Sequence, residues 1–324
     1  MKSTIKLIDL LTQTNDYISG QRLAEMLGVS RQAVWKDIKA LKDQGFDIKS
    51  VTNRGYMLAS FPQYLNTHAI KSELNTTVIG SELYVLDSVD STNDYLKSLG
   101  NNGCKNGAVV AAREQVKGKG RLGRAWQSTR DKNITFSFLL RPHITPYEAS
   151  GITPIAGLAV CKSLREFTGL DCKIKWPNDI IIGKKKLCGI LTEMSAEFDA
   201  VEYIVVGIGL NVNQTEFPED IAFKTTSLAL ETKRSFNQNK LLAVILEELE
   251  HVFSKTNLRL TNDALNDYIS LCVTIGKSVS FQRGNSHVTG IAADISTHGE
   301  LMVMMPDGTI CSVNAGEVTV QGIY

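Results

Sequence analysis

The chain has 324 residues, with 35 Lys and Arg against 34 Asp and Glu, so its formal net charge at pH 7 is +1. This near balance excludes a chain-wide polycation, and any nucleic-acid binding must be local. A mean hydropathy of -0.06 excludes intrinsic disorder as the main description. The length predicts two or three domains, because a domain typically takes about 100 to 200 residues.

The sequence predicts a cytoplasmic protein without a membrane segment. No stretch approaches the ~20 apolar residues of a membrane helix, and the amphipathic start does not resemble a signal peptide. The six cysteines are scattered at Cys104, Cys161, Cys172, Cys188, Cys272 and Cys311. Because they form no Cys-x-x-Cys pair and no Cys/His cluster, they indicate a reducing compartment and no structural metal site.

The first predicted domain, residues 1–62, has a basic excess of nine Lys and Arg against six Asp and Glu up to residue 60. Apolar residues at helical spacing around Ile8 and Leu23 predict two short helices, the second of which ends at Gly28. Ser30 is a suitable N-cap for a third helix. Two helices joined by a tight glycine turn are typical of a helix-turn-helix.

The third helix and a following hairpin supply a candidate DNA-binding surface. Alternation over residues 46–58, with a turn near its middle, predicts the hairpin, and a winged helix-turn-helix results. Arg31 and Gln32 would reach base edges, whereas the lysines of the same helix would touch phosphates. Arg54 lies at the tip of the wing. The predicted DNA contacts are Arg31, Gln32, Lys36, Lys39 and Arg54. The alternative, a small helical protein-interaction domain, explains the basic face less well.

The second predicted domain, residues 65–270, alternates apolar strand-like runs with helical stretches. The longest helices are expected at 147–167 and 239–255. The predicted strands are 83–86, 108–111, 134–140, 180–182, 187–194 and 201–208. This alternation predicts a mixed α/β catalytic domain within an α+β multidomain chain.

The third predicted domain, residues 273–324, consists of short strands separated by turns. The turns are expected at Arg283-Gly284-Asn285, Thr297-His298-Gly299 and Pro306-Asp307-Gly308. A spacing near ten residues favours a small β-barrel.

Four polar clusters in the second domain are the candidates for its chemistry. They are Asp90-Ser91-Thr92-Asn93, the loop from Gln115 to Trp126, Lys173 to Asp179, and Gly207 to Asn213. The first can also be read as simple helix capping, and the last as an ordinary turn. In the third, Lys175 lies between apolar neighbours, where burial would disfavour its charge unless an anionic ligand relieved the penalty.

The loop from Gln115 to Trp126 combines three glycines with four cations. Gly118, Gly120 and Gly123 spell G-x-G-x-x-G, but a strand follows instead of the helix that a dinucleotide-binding loop requires. No Walker A lysine follows either. Glycines and cations together suit an anion such as phosphate, and Trp126 could stack on a purine. The alternative is a solvated basic surface loop. The cations are Lys117, Lys119, Arg121 and Arg124.

These motifs occur in the order seen in bacterial biotin-protein ligases. With the N-terminal domain, the whole chain resembles the bifunctional type, which is both biotin ligase and biotin operon repressor. The motifs are Asp90-Ser91-Thr92-Asn93, the loop from Gly118 to Trp126, Lys175-Trp176-Pro177-Asn178-Asp179, Lys186-Leu187-Cys188-Gly189-Ile190-Leu191 and Gly207-Ile208-Gly209-Leu210-Asn211. The resemblance implies a class II synthetase-like central domain and an SH3-like C-terminal barrel. One departure is Lys119, where the family usually has arginine, because lysine keeps the charge but loses the planar fork.

The resemblance implies a two-step ligase reaction. Biotin's carboxylate attacks the α-phosphate of ATP to give biotinyl-5'-AMP and pyrophosphate, and an acceptor lysine then takes the biotinyl group. The implied acceptors are the biotin carboxyl carrier domain of acetyl-CoA carboxylase and pyruvate carboxylase. Mg²⁺ is expected to accompany ATP. A homodimer with biotinyl-5'-AMP as corepressor would bind operator DNA and repress genes of biotin biosynthesis and transport.

The resemblance also implies roles for individual residues. The implied biotin-binding residues are Ser91, Thr92, Asn93, Gln115, Gly118, Lys119, Gly120, Arg121, Lys175 and Gly189. The implied ATP- and adenylate-binding residues are Arg121, Arg124, Trp126, Lys175 and Asn211. Arg121 and Lys175 are the implied catalytic residues, since their charges would neutralise the carboxylate and the α-phosphate. No enzyme nucleophile is required.

Three other interpretations stay open. A lipoate-protein ligase would share the catalytic architecture, but its arginine-rich, triple-glycine motif is missing. A metabolite-sensing repressor without transferase activity would not need Lys175 for chemistry. A ligase with a degenerate winged helix would keep every catalytic residue.

Overall fold

The structure is a computed structural model that describes residues 2–197, 200–284, 286–314 and 318–323. Its helices are α1 (Lys2–Thr12), α2 (Gly20–Leu27), α3 (Arg31–Asp43), α4 (Thr67–Glu73), α5 (Thr92–Asn101), α6 (Ile152–Thr168), α7 (Glu219–Ala222), α8 (Leu228–Thr232), α9 (Gln238–Thr256) and α10 (Asn262–Leu271). Its strands are β1 (Asp47–Val51), β2 (Gly55–Ser60), β3 (Leu83–Leu86), β4 (Val109–Ala112), β5 (Asn133–Leu140), β6 (Cys172–Lys175), β7 (Asp179–Ile182), β8 (Lys185–Glu197), β9 (Ala200–Asn211), β10 (Ser278–Arg283), β11 (Ser286–Ile295), β12 (Leu301–Met304), β13 (Ile310–Val313) and β14 (Val318–Val320). None of the helices in these ranges has the length and apolar character needed to cross a bilayer.

Helices α1 to α3 and the β1–β2 hairpin form the N-terminal winged helix-turn-helix, as the sequence predicts. Gly28 ends α2 in the left-handed region, at φ 65°, which glycine adopts without strain. Ser30 caps α3, because its side-chain oxygen accepts the Ala33 backbone N–H at 3.2 Å. The buried core of this unit is Leu7, Ile8, Leu11, Leu23, Ala24, Val34, Ile38, Leu41, Phe46 and Ile48.

The central unit is a seven-stranded sheet in the order β3-β4-β5-β9-β8-β7-β6. Only the β3–β4 pair is parallel, and the remaining neighbours are antiparallel. Side chains alternate across the sheet. Val109 and Phe138 enter the large core on the side of α6 and α9, whereas Val110 and Leu139 pack in a second cluster with Leu96 of α5. Helices therefore cover both faces, and α5 starts at the edge of the candidate site.

Two expectations about element boundaries need correction. The helix expected at 147–167 is α6 preceded by a separate 3-10 turn, Glu148–Gly151. The strand expected at 201–208 is longer, because β9 continues through Asn211, which also excludes the alternative reading of this segment as a turn. The physical reason is pairing on both sides: Gly207 lies opposite Ser137 of β5 and Leu191 of β8, so its backbone groups belong to a central strand.

The C-terminal unit is an antiparallel sheet in the order β13-β12-β11-β10-β14. Val279, Phe281 and Leu301 are buried and join the core of the central unit, so the two units share one apolar interior. The expected turns at Thr297-His298-Gly299 and Pro306-Asp307-Gly308 are confirmed, with Gly299 at φ 83° and Gly308 at φ 82°. The expected turn at Arg283-Gly284-Asn285 includes Asn285, which lies outside the described residues.

Asn239, near the start of α9, fixes the segment that joins the winged helix to the central sheet. Its Nδ2 donates to the backbone oxygens of Pro62 and Tyr64, both at 2.9 Å. Its Oδ1 accepts the backbone N–H of Asn66 at 2.7 Å. Asn239 is buried, so these three bonds satisfy its amide group without water.

Tyr64 extends this connection to the end of α3. The guanidinium carbon of Arg113 lies 3.8 Å from the centroid of the Tyr64 ring, and the Tyr64 hydroxyl donates to the backbone oxygen of Gln44, the residue after α3. A second link joins His68 Nδ1 to Asp9 Oδ1 at 3.1 Å. The winged helix is therefore held against the central sheet by polar contacts at both its first and third helices.

We expect Asn239→Ala to lower the free energy of unfolding by about 1 to 3 kcal/mol, because buried backbone groups lose their partners. Amide hydrogen exchange at Asn66 should speed up, since its N–H loses its acceptor. The control is Asn237→Ala, which removes the N-cap of α9 at a cost of about 1 kcal/mol and leaves the linker contacts. Equal protection of Asn66 in wild type and Asn239→Ala would contradict the role given to Asn239.

Candidate functional site

A cavity with about 450 Å³ of empty space, part of it open to solvent, lies over β8 and β9 beside the start of α5. Its wall consists of Ser91, Thr92, Asn93, Gln115, Lys119, Gly120, Arg121, Trp126, Asn178, Lys186, Gly189, Ile190, Leu191, Gly207, Ile208 and Gly209. Polar residues of α5 and the glycine-rich loop thus face a floor of strand residues.

Glycines in the two central strands let side chains lie directly on that floor. A Cβ at Gly207 would stand 2.1 Å from Asn93 Oδ1, and one at Gly209 would stand 2.3 Å from Cε2 of Trp126. A Cβ at Gly189 would approach the same indole to 3.2 Å. The glycines of the last two motifs are therefore needed because Asn93 and Trp126 contact the backbone of the sheet.

The end of the cavity at α5 is a network of polar side chains. Ser91 caps α5, and Thr92 donates from its N–H and hydroxyl to Gln115 Oε1, at 2.8 and 3.0 Å. The hydroxyl oxygen of Ser137 lies 2.7 Å from Thr92 Oγ1 and 2.6 Å from Asn93 Oδ1. Because all but Gln115 are buried, the network orders donors and acceptors at one end of an otherwise apolar floor.

Lys119 joins this end of the cavity through an ion pair. Its Nζ lies 2.6 Å from Asp94 Oδ2, and Lys97 contacts both Asp94, at 3.1 Å, and Glu193, at 2.8 Å. Glu193 also accepts the Nδ2 of Asn93 at 2.7 Å. Burial alone would raise the pKa of Asp94, but hydrogen bonds from Lys119 and Lys97 outweigh it and lower that pKa. The loop is thereby tied to α5 by the lysine that departs from the family pattern.

Arg121 reaches the opposite end of the cavity. Its Nη1 donates to Asn178 Oδ1 at 2.9 Å, and Asn178 exchanges two more hydrogen bonds with the backbone of Ile190, each 2.9 Å long. The pKa of Arg121 is lowered, mainly by burial; Asp179 opposes this change and Arg124 adds to it. The guanidinium stays charged at neutral pH, since arginine is not deprotonated in proteins.

Lys175 is buried at the end of β6, close to other charges. Burial lowers the pKa of Lys175 to about 8; Asp179 opposes this change, while Lys186 and Arg124 add to it. Lys186 pairs with Asp179 at 2.6 Å and lies 5.7 Å from the centroid of the Trp126 ring. The cation cluster, as we call it, is Arg121, Arg124, Lys175 and Lys186. Four cations around one carboxylate leave an excess of positive charge, which suits an anionic ligand.

The predicted site residues divide into two groups by position. Those in the cavity wall are Ser91, Thr92, Asn93, Gln115, Lys119, Gly120, Arg121, Trp126 and Gly189. Outside the wall, Gly118 lies beneath Trp126, and its oxygen accepts the Trp126 N–H at 2.8 Å. Lys175 and Arg124 do not line the cavity and belong to the cation cluster beside it. Asn211 is buried and donates to the backbone oxygen of Thr226 at 3.0 Å, so it holds the segment after β9.

Sequence reasoning missed several residues that the structure places at the site. Asn178 and Lys186 stand in motifs that were recognised, but neither received a role. Ser137 and Glu193 lie within predicted strands. Only their side-chain contacts with Thr92 and Asn93 show that they belong to the polar network of the site. A polar residue at an inward strand position was the available signal for Ser137.

The predicted DNA contacts are exposed side chains of α3 and of the β1–β2 hairpin. Arg31, Gln32, Lys36 and Lys39 are exposed along α3. Trp35 lies among them with 58% of its surface exposed, and Lys39 Nζ is 5.8 Å from its ring centroid. Arg54 extends from the hairpin turn to Asp16 Oδ1, at 3.3 Å, and its guanidinium carbon lies 4.5 Å from the centroid of the Tyr17 ring.

Three family models match consecutive parts of the chain. A model of an HTH domain matches residues 4–57. A model of the biotin/lipoate A/B protein ligase family matches residues 85–211, and a model of the biotin protein ligase C-terminal domain matches residues 274–320. The matches follow the order of the winged helix, the central sheet and the C-terminal sheet.

Relatives match over nearly the full length. The bifunctional ligase/repressor BirA of Bacillus subtilis is 34% identical over 321 residues, covering 95% of this chain and 96% of that protein. The bifunctional ligase/repressor BirA of Escherichia coli is 30% identical over 318 residues, covering 98% and 97%. A solved biotin protein ligase of Aquifex aeolicus, in complex with biotin and ATP, superposes with a TM-score of 0.64 at 30% identity, over 74% of this chain and 99% of that one. The chain belongs to the family of bifunctional biotin ligase/repressors.

We expect Gly209→Ala to displace the Trp126 indole and to lower the free energy of unfolding by about 1 to 3 kcal/mol, as overpacking does. The measurements are chemical denaturation and Trp126 emission, the latter as the difference between a Trp35→Phe protein and a Trp35→Phe/Trp126→Phe protein, which removes the constant signal of Trp176. The control is Gly157→Ala in α6, where the nearest atoms to a new Cβ lie at 3.8 and 3.9 Å; it should be neutral or stabilising by about 1 kcal/mol. An unchanged Trp126 emission in Gly209→Ala would show that the indole does not rest on this glycine.

Proposed function

We propose that the protein is an ATP-dependent biotin-protein ligase that also represses transcription as a DNA-binding protein. The observation that carries the ligase proposal is the cation cluster at one end of a cavity whose other end is a polar network. A ligand with a hydrogen-bonding head and a carboxylate tail, activated by a phosphate compound, matches this distribution of groups. Membership of the bifunctional ligase/repressor family supports both activities.

In this proposal the ureido ring of biotin lies at the start of α5. Ser91, Thr92 and Gln115 supply hydrogen-bonding groups, and Asn93 orders Gln115 indirectly through Ser137 and Thr92. The apolar part of the ligand packs on the floor of β8 and β9 next to Leu191 and the strand glycines. A buried polar ligand group needs such partners, because an unpaired donor or acceptor weakens binding. Lys119 and the loop glycines cover the ligand from the other side.

The reaction then takes place beside the cation cluster. A carboxylate oxygen of biotin attacks the α-phosphorus of ATP, a new P–O bond forms, and the bond to pyrophosphate breaks. Arg121 and Lys175 neutralise the negative charge that gathers on the α-phosphate oxygens in the transition state. In the second step an acceptor lysine nitrogen attacks the biotinyl carbonyl carbon, loses a proton and releases AMP. Neither step uses an enzyme nucleophile.

The nucleotide would lie on the side of Trp126. Its indole offers a face for adenine, while Arg124 and Lys186 offer charge to the phosphates. We also keep Asn211 as a nucleotide contact, acting through the segment that it holds after β9. Mg²⁺ would enter bound to the phosphates of ATP, as expected for a cation that keeps most of its water ligands. In the described part of the chain no group of three or more His, Cys, Asp or Glu is suited to hold a metal by itself.

The proposed acceptors are lysines of biotin carboxyl carrier domains, with those of acetyl-CoA carboxylase and pyruvate carboxylase as candidates. We further propose that biotinyl-5'-AMP orders the glycine-rich loop and favours a homodimer through the central domains. Such a dimer would place two α3 helices on a two-fold symmetric operator. The dimer would then compete with the acceptor protein for one surface. We also propose that the protein acts in the cytoplasm, because the proposed substrates and operator DNA would have to be in one compartment.

The experiment that tests the ligase proposal is pyrophosphate exchange into ATP, measured with biotin, with lipoate and with neither acid. We expect exchange with biotin alone, because the first step is reversible and requires the activated acid. Exchange with lipoate instead would identify a lipoate ligase. Tight biotin binding without exchange would favour a sensing repressor that lacks transferase activity.

For DNA, we expect two variants to act differently on an operator selected by the wild-type protein from a random duplex library. Arg31→Ala should weaken binding by about 5- to 150-fold with or without biotin and ATP, since a base contact is lost. Arg121→Ala should weaken adenylate retention and abolish only the increase that biotin and ATP produce. Fluorescence anisotropy of labelled operator DNA measures binding with and without biotin and ATP. The control is Lys105→Ala, which also removes one positive charge but at an exposed residue beside Glu82. An intact ligand-dependent increase in Arg121→Ala would refute the coupling.

A further inference from the structure

Trp176 connects the lysine of β6 to the C-terminal sheet. It follows Lys175 directly, and 1% of its surface is exposed. Its indole Nε1 donates to the backbone oxygen of Gly299 at 2.9 Å, and its backbone N–H donates to Thr274 Oγ1 at 3.0 Å. Both acceptors belong to the C-terminal unit. A residue inside the ligase motif is therefore held by a different domain.

The Gly299 acceptor is itself fixed in place. It lies in the turn between β11 and β12, at φ 83°, and a Cβ there would stand 2.8 Å from Pro154 Cγ of α6. Its neighbour His298 accepts the Ser150 hydroxyl at its backbone oxygen, at 2.7 Å, and its ring centroid lies 4.4 Å from that of Tyr147. The turn is thus packed against the start of α6, so Trp176 donates to an acceptor with little freedom to move.

Along the chain, Trp176 lies between Lys175, a member of the cation cluster, and Asn178, which holds Arg121. Lys175 and Asp179 are paired across the short β6–β7 hairpin, and Trp176 occupies the turn between them. Asn178, in the same turn, accepts the Arg121 guanidinium at 2.9 Å. Because only three residues separate Lys175 from Asp179, a shift of Trp176 displaces the backbone of both Lys175 and Asn178.

We propose that Trp176 is a positioning residue of the ligase reaction, and that the C-terminal sheet places Lys175 and Arg121 through the indole bond to Gly299. This inference rests on the proposed function, in which these two cations neutralise charge on the carboxylate and the α-phosphate. Charge stabilisation depends on groups that are already in place when charge develops. A displacement of about 1 Å can reduce a rate by about 100-fold.

The burial of Lys175 gives a readout that stability alone would not change. The groups that face its ammonium are Asp179 of β7, Lys186 of β8 and Arg124 of the loop. Burial lowers the pKa of Lys175 to about 8, so the free enzyme loses this charge as the pH rises through that value. If Trp176 no longer holds the turn, Lys175 becomes better hydrated and its pKa rises toward the ordinary value of lysine.

The experiment compares Trp176→Phe with Ser150→Ala in the full chain. The first removes the indole donor, whereas the second removes a hydrogen bond to the same turn of the C-terminal sheet without touching the ligase motif. Pyrophosphate exchange with biotin and ATP is measured across pH, with thermal unfolding of each variant alongside. We expect Trp176→Phe to lower kcat about 10- to 100-fold, to leave KM for biotin within about 2-fold, and to move the alkaline loss of kcat/KM to higher pH. Ser150→Ala keeps the packing of Gly299 on Pro154 and the indole bond, so it should stay within about 2-fold of wild type in each quantity.

A second substitution covers the case in which Trp176→Phe folds poorly. Replacing Trp176 by 3-benzothienylalanine keeps the shape of the indole and exchanges its N–H for sulfur. We expect the same loss of kcat and the same shift with pH. Wild-type kcat and an unmoved alkaline limb in this variant would overturn the positioning role, even if its melting temperature fell. Absence of biotin-dependent exchange in the wild type would instead overturn the proposed function, and the inference with it.

Discussion

Four cations gathered around Asp179 are the feature on which the rest of the site depends. Burial, and to a smaller extent the neighbouring Lys186 and Arg124, lower the pKa of Lys175, so holding its charge here is unfavourable. Asp179 offsets part of it through its pair with Lys186. The remaining excess of positive charge suits an anionic group. This excess lies at one end of the neighbouring cavity. A polar network at the other end then orients a ligand along the sheet.

The same site explains why the chain keeps its units in close contact. The turn that carries Lys175 is held by the C-terminal sheet through Trp176, and the linker to the winged helix is held by Asn239. Arg113 packs on Tyr64 only two residues before Gln115, which lines the cavity. Both outer units therefore contact backbone that leads directly into the site.

Much of the fold could be predicted because its signals are local. Gly28 and Ser30 place the helix-turn-helix, since a left-handed turn and an N-cap depend on residues a few positions apart. The strand β9, expected to end at residue 208, was underestimated for the opposite reason. Glycines such as Gly209 are typical of turns in a single sequence, and only pairing with β5 and β8 shows that the strand continues to Asn211. The absence of a side chain at these glycines leaves room for Asn93 and Trp126, which lie far away in the sequence.

The sequence by itself determined the order of the units, the motif residues and the charges available for chemistry, because spacing and residue type carry that information. Tertiary structure alone decided which of those residues meet. It left Asn211 outside the cavity wall with its amide on the Thr226 carbonyl, placed Asn178 on Arg121 and joined Lys119 to Asp94. These contacts link positions far apart in the chain, and they form only when the folded sheet brings the glycine-rich loop, the β6–β7 turn and α5 next to one another.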